Sequence, residues 1–325
     1  MEKNNMTAIM VMDRNKRVVG CLLCCLLVLT AMAQDPFPGS LKPETAWKQQ
    51  RETRMNEGPK QLDHILVTDS LPTTFKNRKP NRIEREEQLF PLFEKLCLQH
   101  QQMRIVHIGD SHVRGHVFTV AARHSLEHAF GSGAVYPDSI TYQTSALARE
   151  TGRPGLIYHA LGINGATTVQ FTEAEHLDEV ARLKPDLIIL SFGTNESHGK
   201  RYSAEEHLTQ LDALLTLLYK QCPGAVVMLT TPPGSYIRVQ RRRKVVNNLT
   251  ATVVANILDF AKQRGLPVWD LYDIAGGKQS ACVNWVSGDY MQNDHVHFTH
   301  DGYILQGSLL AAAILNAYND YVDAN

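Results

Sequence analysis

Short apolar segments alternate with longer amphipathic segments between residues 103 and 322. The apolar segments have the length and the β-branched content of buried strands, whereas the amphipathic ones repeat their apolar positions with helical spacing. The pattern predicts five strands, over residues 103–108, 156–160, 186–192, 225–230 and 266–271. Helices are predicted over residues 113–130, from the turn at 162–165 to 183, and over 204–221, 239–264 and 301–322. Such alternation implies a parallel sheet with helices on both faces, a three-layer α/β/α sandwich.

Residues 1–33 have the features of an export signal. Positive charge in residues 13–17 precedes an apolar run over 18–30, and Ala31-Met32-Ala33 forms a small-x-small cleavage pattern. The run is shorter than the roughly 20 residues of a membrane span, so a retained anchor is the less favoured alternative. The sequence therefore predicts a soluble exported protein, periplasmic or secreted, with no membrane contact after signal removal.

Two further segments separate this signal from the first strand. Residues 34–81 are polar, rich in Pro, Lys, Arg and Glu, and lack sustained periodicity, so a linker or loosely packed arm is predicted. Residues 83–100 have helical spacing, and Pro91 is predicted to start or bend that helix. We find no internal repeat and no second globular pattern, so residues 82–325 are predicted to form one domain.

Composition restricts the partners more than the fold. The 325 residues have a formal net charge of zero, with 43% hydrophobic and 20% charged residues. This balance is ordinary for a globular protein and gives no argument for nucleic acid as a partner. The basic cluster at residues 241–244 is interpreted as the solvated start of a helix rather than a polyanion site. After signal removal Cys97, Cys222 and Cys282 remain, and buried free thiols are expected because at most one disulfide can form.

The tripeptide Gly109-Asp110-Ser111 follows directly after the first predicted strand. A serine at this place lies at the carboxyl edge of a parallel sheet, where open α/β folds build their sites. The strand-loop-helix turn exposes the hydroxyl near the amino end of a helix, where developing negative charge is favoured. Ser111 is therefore the candidate nucleophile, and the alternative interpretation is a helix cap formed by the serine or the aspartate.

Asp294 and His297 lie three residues apart on a late loop. In a Ser-His-Asp relay the histidine is the general base, and the aspartate orients its ring and stabilises the imidazolium. The alternatives are an ordinary surface loop, or a metal site that also uses His295 and His300. No separate carboxylate or cysteine motif accompanies them, so we expect neither a metal nor an organic cofactor.

Two glycine-containing turns follow the second and third predicted strands. Asn195, in Gly193-Thr194-Asn195, can direct its side-chain N–H at an oxyanion, and Gly165 can donate its main-chain N–H to the same atom. The alternative is that both are ordinary turn residues. The first of these turns is not a phosphate-binding loop, because no Lys followed by Ser or Thr comes after Gly165.

Together these segments resemble the SGNH (GDSL-type) hydrolase superfamily in residue type and order. The matching segments are Gly109-Asp110-Ser111 for its first block, Gly165 for its second, Gly193-Thr194-Asn195 for its third and Asp294-x-x-His297 for its fifth. The resemblance covers residues 83–322 and implies a flavodoxin-like sandwich with a parallel five-stranded sheet. It implies a triad of Ser111, His297 and Asp294, with an oxyanion hole formed by the Ser111 and Gly165 amides and the Asn195 side chain.

The resemblance also implies an activity. His112 stands where many lipolytic members carry an apolar residue, and residues 162–166, 192–196 and 294–299 are similar to bacterial envelope enzymes that act on O-acetylated carbohydrate, including peptidoglycan O-acetylesterases. We therefore expect a serine esterase that removes acetyl groups from an acylated glycan or other small ester, with His112, Asn164 and Glu196 contacting the sugar. The alternatives are a lipase or thioesterase, a glycan O-acetyltransferase that needs a donor partner, and a non-catalytic glycan-binding protein.

Overall fold

A computed structural model describes residues 63–68, 71–98, 101–137, 145–199, 201–239 and 243–324 of the protein. The predicted export signal and residues 34–62 of the predicted arm lie outside these described residues. Among the helices within the described ranges, none is both long enough and apolar enough to cross a membrane.

A seven-stranded sheet forms the middle layer of the structure. The nine strands within the described ranges are β1 (Ile83–Glu84), β2 (Gln102–Gly109), β3 (Ser145–Ala146), β4 (Gly155–Gly162), β5 (Leu187–Ser191), β6 (Val226–Thr230), β7 (Tyr236–Arg238), β8 (Lys244–Val246) and β9 (Val268–Trp269). The order in the sheet is β1-β9-β6-β5-β2-β4-β3, and the five strands from β9 to β4 are parallel. The predicted five-stranded sheet is thus extended at each edge by a two-residue antiparallel strand, which is too short to leave a periodic signal in the sequence.

Ten α-helices connect or cover these strands within the described ranges. They are α1 (Phe90–Leu98), α2 (Ser111–Arg114), α3 (Val117–Phe130), α4 (Ala174–Arg182), α5 (Thr194–His198), α6 (Ala204–Gln221), α7 (Asn248–Arg264), α8 (Leu271–Ile274), α9 (Gly277–Ser287) and α10 (His300–Ala324). The three-layer α/β architecture predicted from the alternation of apolar and amphipathic segments is confirmed.

Both faces of the sheet are buried against helices. In β5, Ile189 belongs to the same apolar cluster as residues of α3 and α10, whereas Ile188 and Leu190 belong to a cluster with residues of α4 and α6. Alternate side chains of one strand therefore enter opposite cores, as strand geometry requires. Because the parallel strands run in one direction, their carboxyl ends, which precede three of the predicted motifs, meet at one edge of the sheet.

The long helix predicted over residues 239–264 begins nine residues later, at Asn248. Asn247 caps it by accepting a hydrogen bond from the Leu249 N–H at 3.1 Å. The preceding residues form the antiparallel hairpin β7–β8, since the β-branched Val245 and Val246 favour an extended strand. The interpretation of the basic cluster at 241–244 as the start of a helix is therefore wrong for its described residues.

Two predicted segments differ from the structure in their extent, and one helix was not predicted. The helix predicted over 113–130 is interrupted at His116, which has a φ of 57°. The last strand is reduced to β9 because the Asp270 side chain accepts the Asp273 N–H and starts α8. Helix α9 was not predicted, since its buried Trp285 and its half-exposed Val283 do not fall on a clear apolar stripe.

The described part of the predicted arm packs against the domain. Ile65, Leu71 and Phe75 are buried in the apolar cluster that includes α10, and the Phe75 ring meets the Trp285 ring edge-on at 5.0 Å. A loosely packed arm therefore does not describe residues 71–81, because Leu71 and Phe75 are buried in this cluster. Cys97, Cys222 and Cys282 are free thiols, and Cys97 is half-buried rather than buried.

Candidate active site

The turn between β2 and α2 presents Ser111 at the carboxyl edge of the sheet. Asp110 caps the short helix by accepting the His112 N–H on its Oδ1 at 2.9 Å. Gly109 is required by a close approach to the neighbouring strand, because a Cβ there would lie 2.5 Å from the Ser191 carbonyl oxygen. The close contact between the ends of β2 and β5, and the Asp110 cap on the first turn of α2, thus position the predicted nucleophile.

Ser111, His297 and Asp294 form a continuous hydrogen-bonded chain. The Ser111 Oγ lies 2.9 Å from the His297 Nε2, and the His297 Nδ1 lies 2.7 Å from the Asp294 Oδ2. A carboxylate accepts only, so the Nδ1 carries the proton and the Nε2 is free to accept from the serine hydroxyl. This arrangement can take the hydroxyl proton as the oxygen attacks, and can later return it to a leaving group.

The Asp294 carboxylate is fixed by its own loop. Its Oδ1 accepts the Val296 N–H at 2.9 Å and the His297 N–H at 3.0 Å. Partial burial raises the pKa of Asp294, but the hydrogen bonds from the His297 ring and these amides outweigh it, and the net pKa is lowered. Asp294 therefore stays ionised at neutral pH, as stabilisation of an imidazolium requires.

The loop that carries this pair is tied down on both sides. The Gln292 N–H donates to the His297 carbonyl at 2.8 Å, and the Gln292 Nε2 donates to the Phe298 carbonyl at 2.8 Å. The fully buried Phe298 ring packs edge-on against Trp285 at 5.2 Å. The unpredicted helix α9 thus supports the loop of Asp294 and His297 through Trp285.

A cleft of about 600 Å³ opens over the serine. Asn164, Gly165 and Asn195, all predicted from the turns after β4 and β5, line it together with Ser111 and His297. The other lining residues are Gly115, Val117, Thr194, Gln292, Val296, Phe298, His300 and Tyr303. Of these, Gln292 and Tyr303 carry no motif and were not predicted; their position beside the Asp-x-x-His segment was the available signal.

The two proposed oxyanion groups contributed by other turns lie close to the serine turn. The Asn195 Nδ2 donates to the Ala166 carbonyl at 2.9 Å and to the Asp110 Oδ2 at 3.2 Å, which orients the amide toward the serine turn. Gly165 has a φ of 73° and open space at its Cβ position, so backbone conformation rather than crowding requires glycine there. The structure thus brings both groups to the cleft that holds Ser111.

Two of the three predicted sugar-contacting residues are buried outside the cleft wall. The His112 Nδ1 lies 3.0 Å from the Tyr303 hydroxyl, and its ring centroid lies 5.4 Å from that of His297. Burial lowers the pKa of His112 to about 3, so it places no positive charge beside the His297 ring. Glu196 accepts the Gly193 N–H at 2.8 Å and holds the Asn195 turn. Asn164 alone of the three lines the cleft.

Burial makes Asp110 an unusual carboxyl group. It raises the pKa of Asp110 to about 8, although the hydrogen bond from the His112 N–H opposes this. A neutral Asp110 places no negative charge next to Ser111, the predicted nucleophile. In the unfolded chain the same group ionises near its ordinary value of 3.8, so between these two pH values the folded state binds the extra proton.

We expect the stability of Asp110→Asn, relative to that of the wild type, to rise with pH. The group's contribution to wild-type stability falls from about pH 4 to about pH 8, by up to roughly 1.4 kcal/mol per pH unit. The asparagine side chain does not titrate, so the variant lacks this pH dependence of the free energy of unfolding. It also loses a pH-independent amount of stability, because its NH₂ group cannot accept a hydrogen bond from Asn195. Urea unfolding of both proteins at several pH values gives the difference in free energy. Asp259→Asn, at an exposed position, is the control for the loss of one negative charge. If the difference in unfolding free energy between the wild type and Asp110→Asn does not change with pH, the raised pKa of Asp110 is contradicted.

The structure is a three-layer α/β fold in which a serine at the turn between β2 and α2 is hydrogen-bonded to the histidine and aspartate of the Asp-x-x-His loop. The model of the GDSL-like lipase/acylhydrolase family matches residues 108–305, more than half of the chain. The chain belongs to this family, and it is an enzyme that hydrolyses ester bonds.

Solved structures that are similar to this one include esterases of low sequence identity. A peptidoglycan O-acetylesterase is 18% identical, with a TM-score of 0.59, over 74% of this chain and 96% of that one. An acetyl xylan esterase is 17% identical, with a TM-score of 0.47, over 65% and 100%. A GDSL-like lipase from Bacteroides thetaiotaomicron is 21% identical, with a TM-score of 0.46, over 72% and 100%. A search among curated proteins finds no match to the sequence.

Proposed function

We propose that this protein is an exported serine esterase that removes acetyl groups from an O-acetylated glycan. The observation that carries the proposal is the chain of hydrogen bonds, 2.9 Å and 2.7 Å long, that joins Ser111, His297 and Asp294, the first two of which line an open cleft. Export rests on the signal pattern of residues 1–33.

The first half of the reaction forms an acetyl-enzyme. The Ser111 Oγ attacks the ester carbonyl carbon while the His297 Nε2 takes its proton, and the ester oxygen becomes an oxyanion. The Ser111 and Gly165 main-chain N–H groups donate to that oxygen. The Asn195 Nδ2 joins them by exchanging its longer hydrogen bond, at 3.2 Å to the Asp110 Oδ2, for one to the oxyanion. When the tetrahedral intermediate collapses, the carbon–oxygen bond to the sugar breaks and His297 protonates the leaving sugar hydroxyl.

The second half regenerates the serine. Water attacks the acetyl carbonyl while His297 takes one of its protons, and the same donors hold the second oxyanion. Collapse breaks the bond between the acetyl carbon and the Ser111 Oγ, which recovers its proton from His297. Acetate leaves, and Asp294 stabilises the imidazolium in both halves.

The lining of the cleft supports a small acyl group on a hydrated alcohol. Asn164, Thr194 and Gln292 bring hydrogen-bonding side chains to the wall, as a sugar needs. The solved structure with the same fold and a TM-score of 0.59 is a peptidoglycan O-acetylesterase, and the proposal assigns this chain a substrate of the same chemical kind.

Acetate release tests the proposal. Purified protein is incubated with O-acetylated peptidoglycan and with acetylated xylan, each beside Ser111→Ala, and released acetate is quantified. We expect acetate from at least one substrate with the wild type and none above background with the variant. Release by Ser111→Ala at the wild-type rate contradicts the mechanism. Preference for long-chain model esters supports a lipase or thioesterase instead, and transfer to an added glycan without acetate release supports a transferase.

A further inference from the structure

A hairpin rich in positive charge lies beside the loop that carries the predicted base. We define the cationic hairpin by its described strands, β7 and β8, together with Arg243, which directly precedes β8. Its positive side chains are those of Arg238, Arg243 and Lys244. Arg243 and Lys244 belong to the basic cluster at residues 241–244, which the proposed mechanism does not use.

The cationic hairpin is fastened to the catalytic loop by three contacts. The Tyr236 N–H donates to the His295 carbonyl at 2.9 Å, and the two rings pack edge-on at 5.0 Å. The Lys244 Nζ donates to the carbonyl of Asn293. Since residues 292 and 296–298 of the same loop line the cleft, the hairpin forms an extension of that wall.

The charges on the hairpin are not neutralised within the described residues. Arg238 and Lys244 are direct cross-strand partners, an arrangement in which like charges destabilise the pairing. Arg238 and Arg243 are exposed, and neither forms an ion pair with a described Asp or Glu. A short hairpin that keeps facing cations together, next to a substrate cleft, is arranged to receive an anion.

We propose that the cationic hairpin binds carboxylates of an acidic glycan, and that the enzyme therefore deacetylates acidic glycans in preference to neutral ones. This inference rests on the proposed function. Arginine guanidinium groups pair with carboxylates through two parallel hydrogen bonds, which suits sugar acids along an extended chain. A chain that presents its acetyl group to Ser111 passes along the 292–298 loop, so carboxylates on neighbouring sugars meet Arg238 and Arg243.

A matched pair of substrates isolates the charge. O-acetylated polygalacturonate carries one carboxylate per sugar, and its methyl ester has the same backbone and acetyl groups without the charge. We define the charge preference as kcat/KM for acetate release from the acidic substrate divided by kcat/KM from its methyl ester. The variant is Arg238→Gln with Arg243→Gln, which leaves the Lys244 contact with the catalytic loop in place.

A second double variant controls for loss of positive charge. Lys220→Gln with Lys262→Gln removes two exposed cations from the last turns of α6 and α7. These helices return the chain toward the amino ends of the parallel strands, so both residues lie at the edge opposite the cleft. Circular dichroism and thermal unfolding establish that both double variants are folded.

We expect the wild type to prefer the acidic substrate at low salt. We expect the Arg238→Gln/Arg243→Gln variant to lower the charge preference about three- to tenfold, as the loss of two exposed charge pairs allows. Raising the ionic strength from about 0.01 M to about 1 M shortens the Debye length roughly from 30 to 3 Å and is expected to lower the wild-type preference similarly. The lysine control is expected to keep the wild-type value.

An unchanged charge preference in the arginine variant overturns the inference. An equal loss of charge preference in both double variants attributes the effect to the overall charge of the protein and overturns it as well. Arginine-dependent binding to anionic phospholipid vesicles, with no change in charge preference, assigns the hairpin to a membrane surface and also overturns it. These outcomes are separable from failure of the proposed function, in which neither substrate yields acetate that depends on Ser111.

Discussion

Replacing His297 with alanine is expected to lower kcat for acetate release by about 10⁴- to 10⁶-fold, as loss of a triad member does in serine hydrolases. The structure leaves Ser111 with no other described base, because its Oγ has the His297 Nε2 as its hydrogen-bond partner at 2.9 Å. A neutral hydroxyl is a weak nucleophile without a base to take its proton. Ser111→Ala and the double variant are expected to show the same loss, since the two groups act as a unit.

A matched control is available in a second His–Asp pair. His64 contacts Asp323 at 2.8 Å near the carboxyl end of α10, whereas the cleft lies at the amino end of this 25-residue helix. His64→Ala removes a comparable contact far from the cleft and is expected to keep wild-type kcat. Additive losses in Ser111→Ala/His297→Ala, or activity retained by His297→Ala, contradict the relay.

Gly162→Ala is expected to reduce both stability and turnover. A Cβ at Gly162 would lie 2.2 Å from the Arg114 backbone nitrogen and 2.5 Å from its Cα, which no side-chain rotation can relieve. The methyl group must push α2 away from β4, and α2 begins with Ser111. We expect a loss of roughly 1–3 kcal/mol in the free energy of unfolding, typical of overpacking. We also expect about a hundredfold loss in kcat, since a displacement near 1 Å at a catalytic group has that effect.

The control for this variant is Gly224→Ala. Its added Cβ meets no atom within 4 Å, and Gly224 is not among the glycines with positive φ. Thermal unfolding and acetate release are measured for both variants and the wild type. If Gly162→Ala unfolds and turns over like Gly224→Ala, the packing of α2 against β4 does not position the serine.

The sequence was informative where physical constraints are local. Apolar runs with β-branched residues located all five parallel strands, because a strand buried on both faces has few polar positions. The three residues of the hydrogen-bonded chain were found because each follows a recognisable signal, namely a strand end or a short Asp-x-x-His spacing. The fold places such strand ends together at one edge, so adjacency in space followed from topology alone.

Long-range packing explains most of what the sequence did not predict. Helix α9 has a mixed surface because Trp285 packs on Phe298 and on Phe75, which lies more than 200 residues earlier in the chain. Strand β8 was assigned to the helix predicted over residues 239–264, because the basic cluster at 241–244 carries no strand signal of its own. His112 and Glu196 were expected in the cleft because both are polar. Their burial depends on partners in distant segments, Tyr303 and Thr168, that spacing does not reveal.

Covalent labelling tests the account most directly. The protein is treated with a serine-directed alkyl phosphonate, digested and analysed by mass spectrometry, in the wild type and in His297→Ala. Our account predicts one adduct per chain, on Ser111, formed much more slowly in His297→Ala because the hydroxyl then lacks its base. An adduct on another serine, no adduct at all, or equal labelling rates in the two proteins would contradict it.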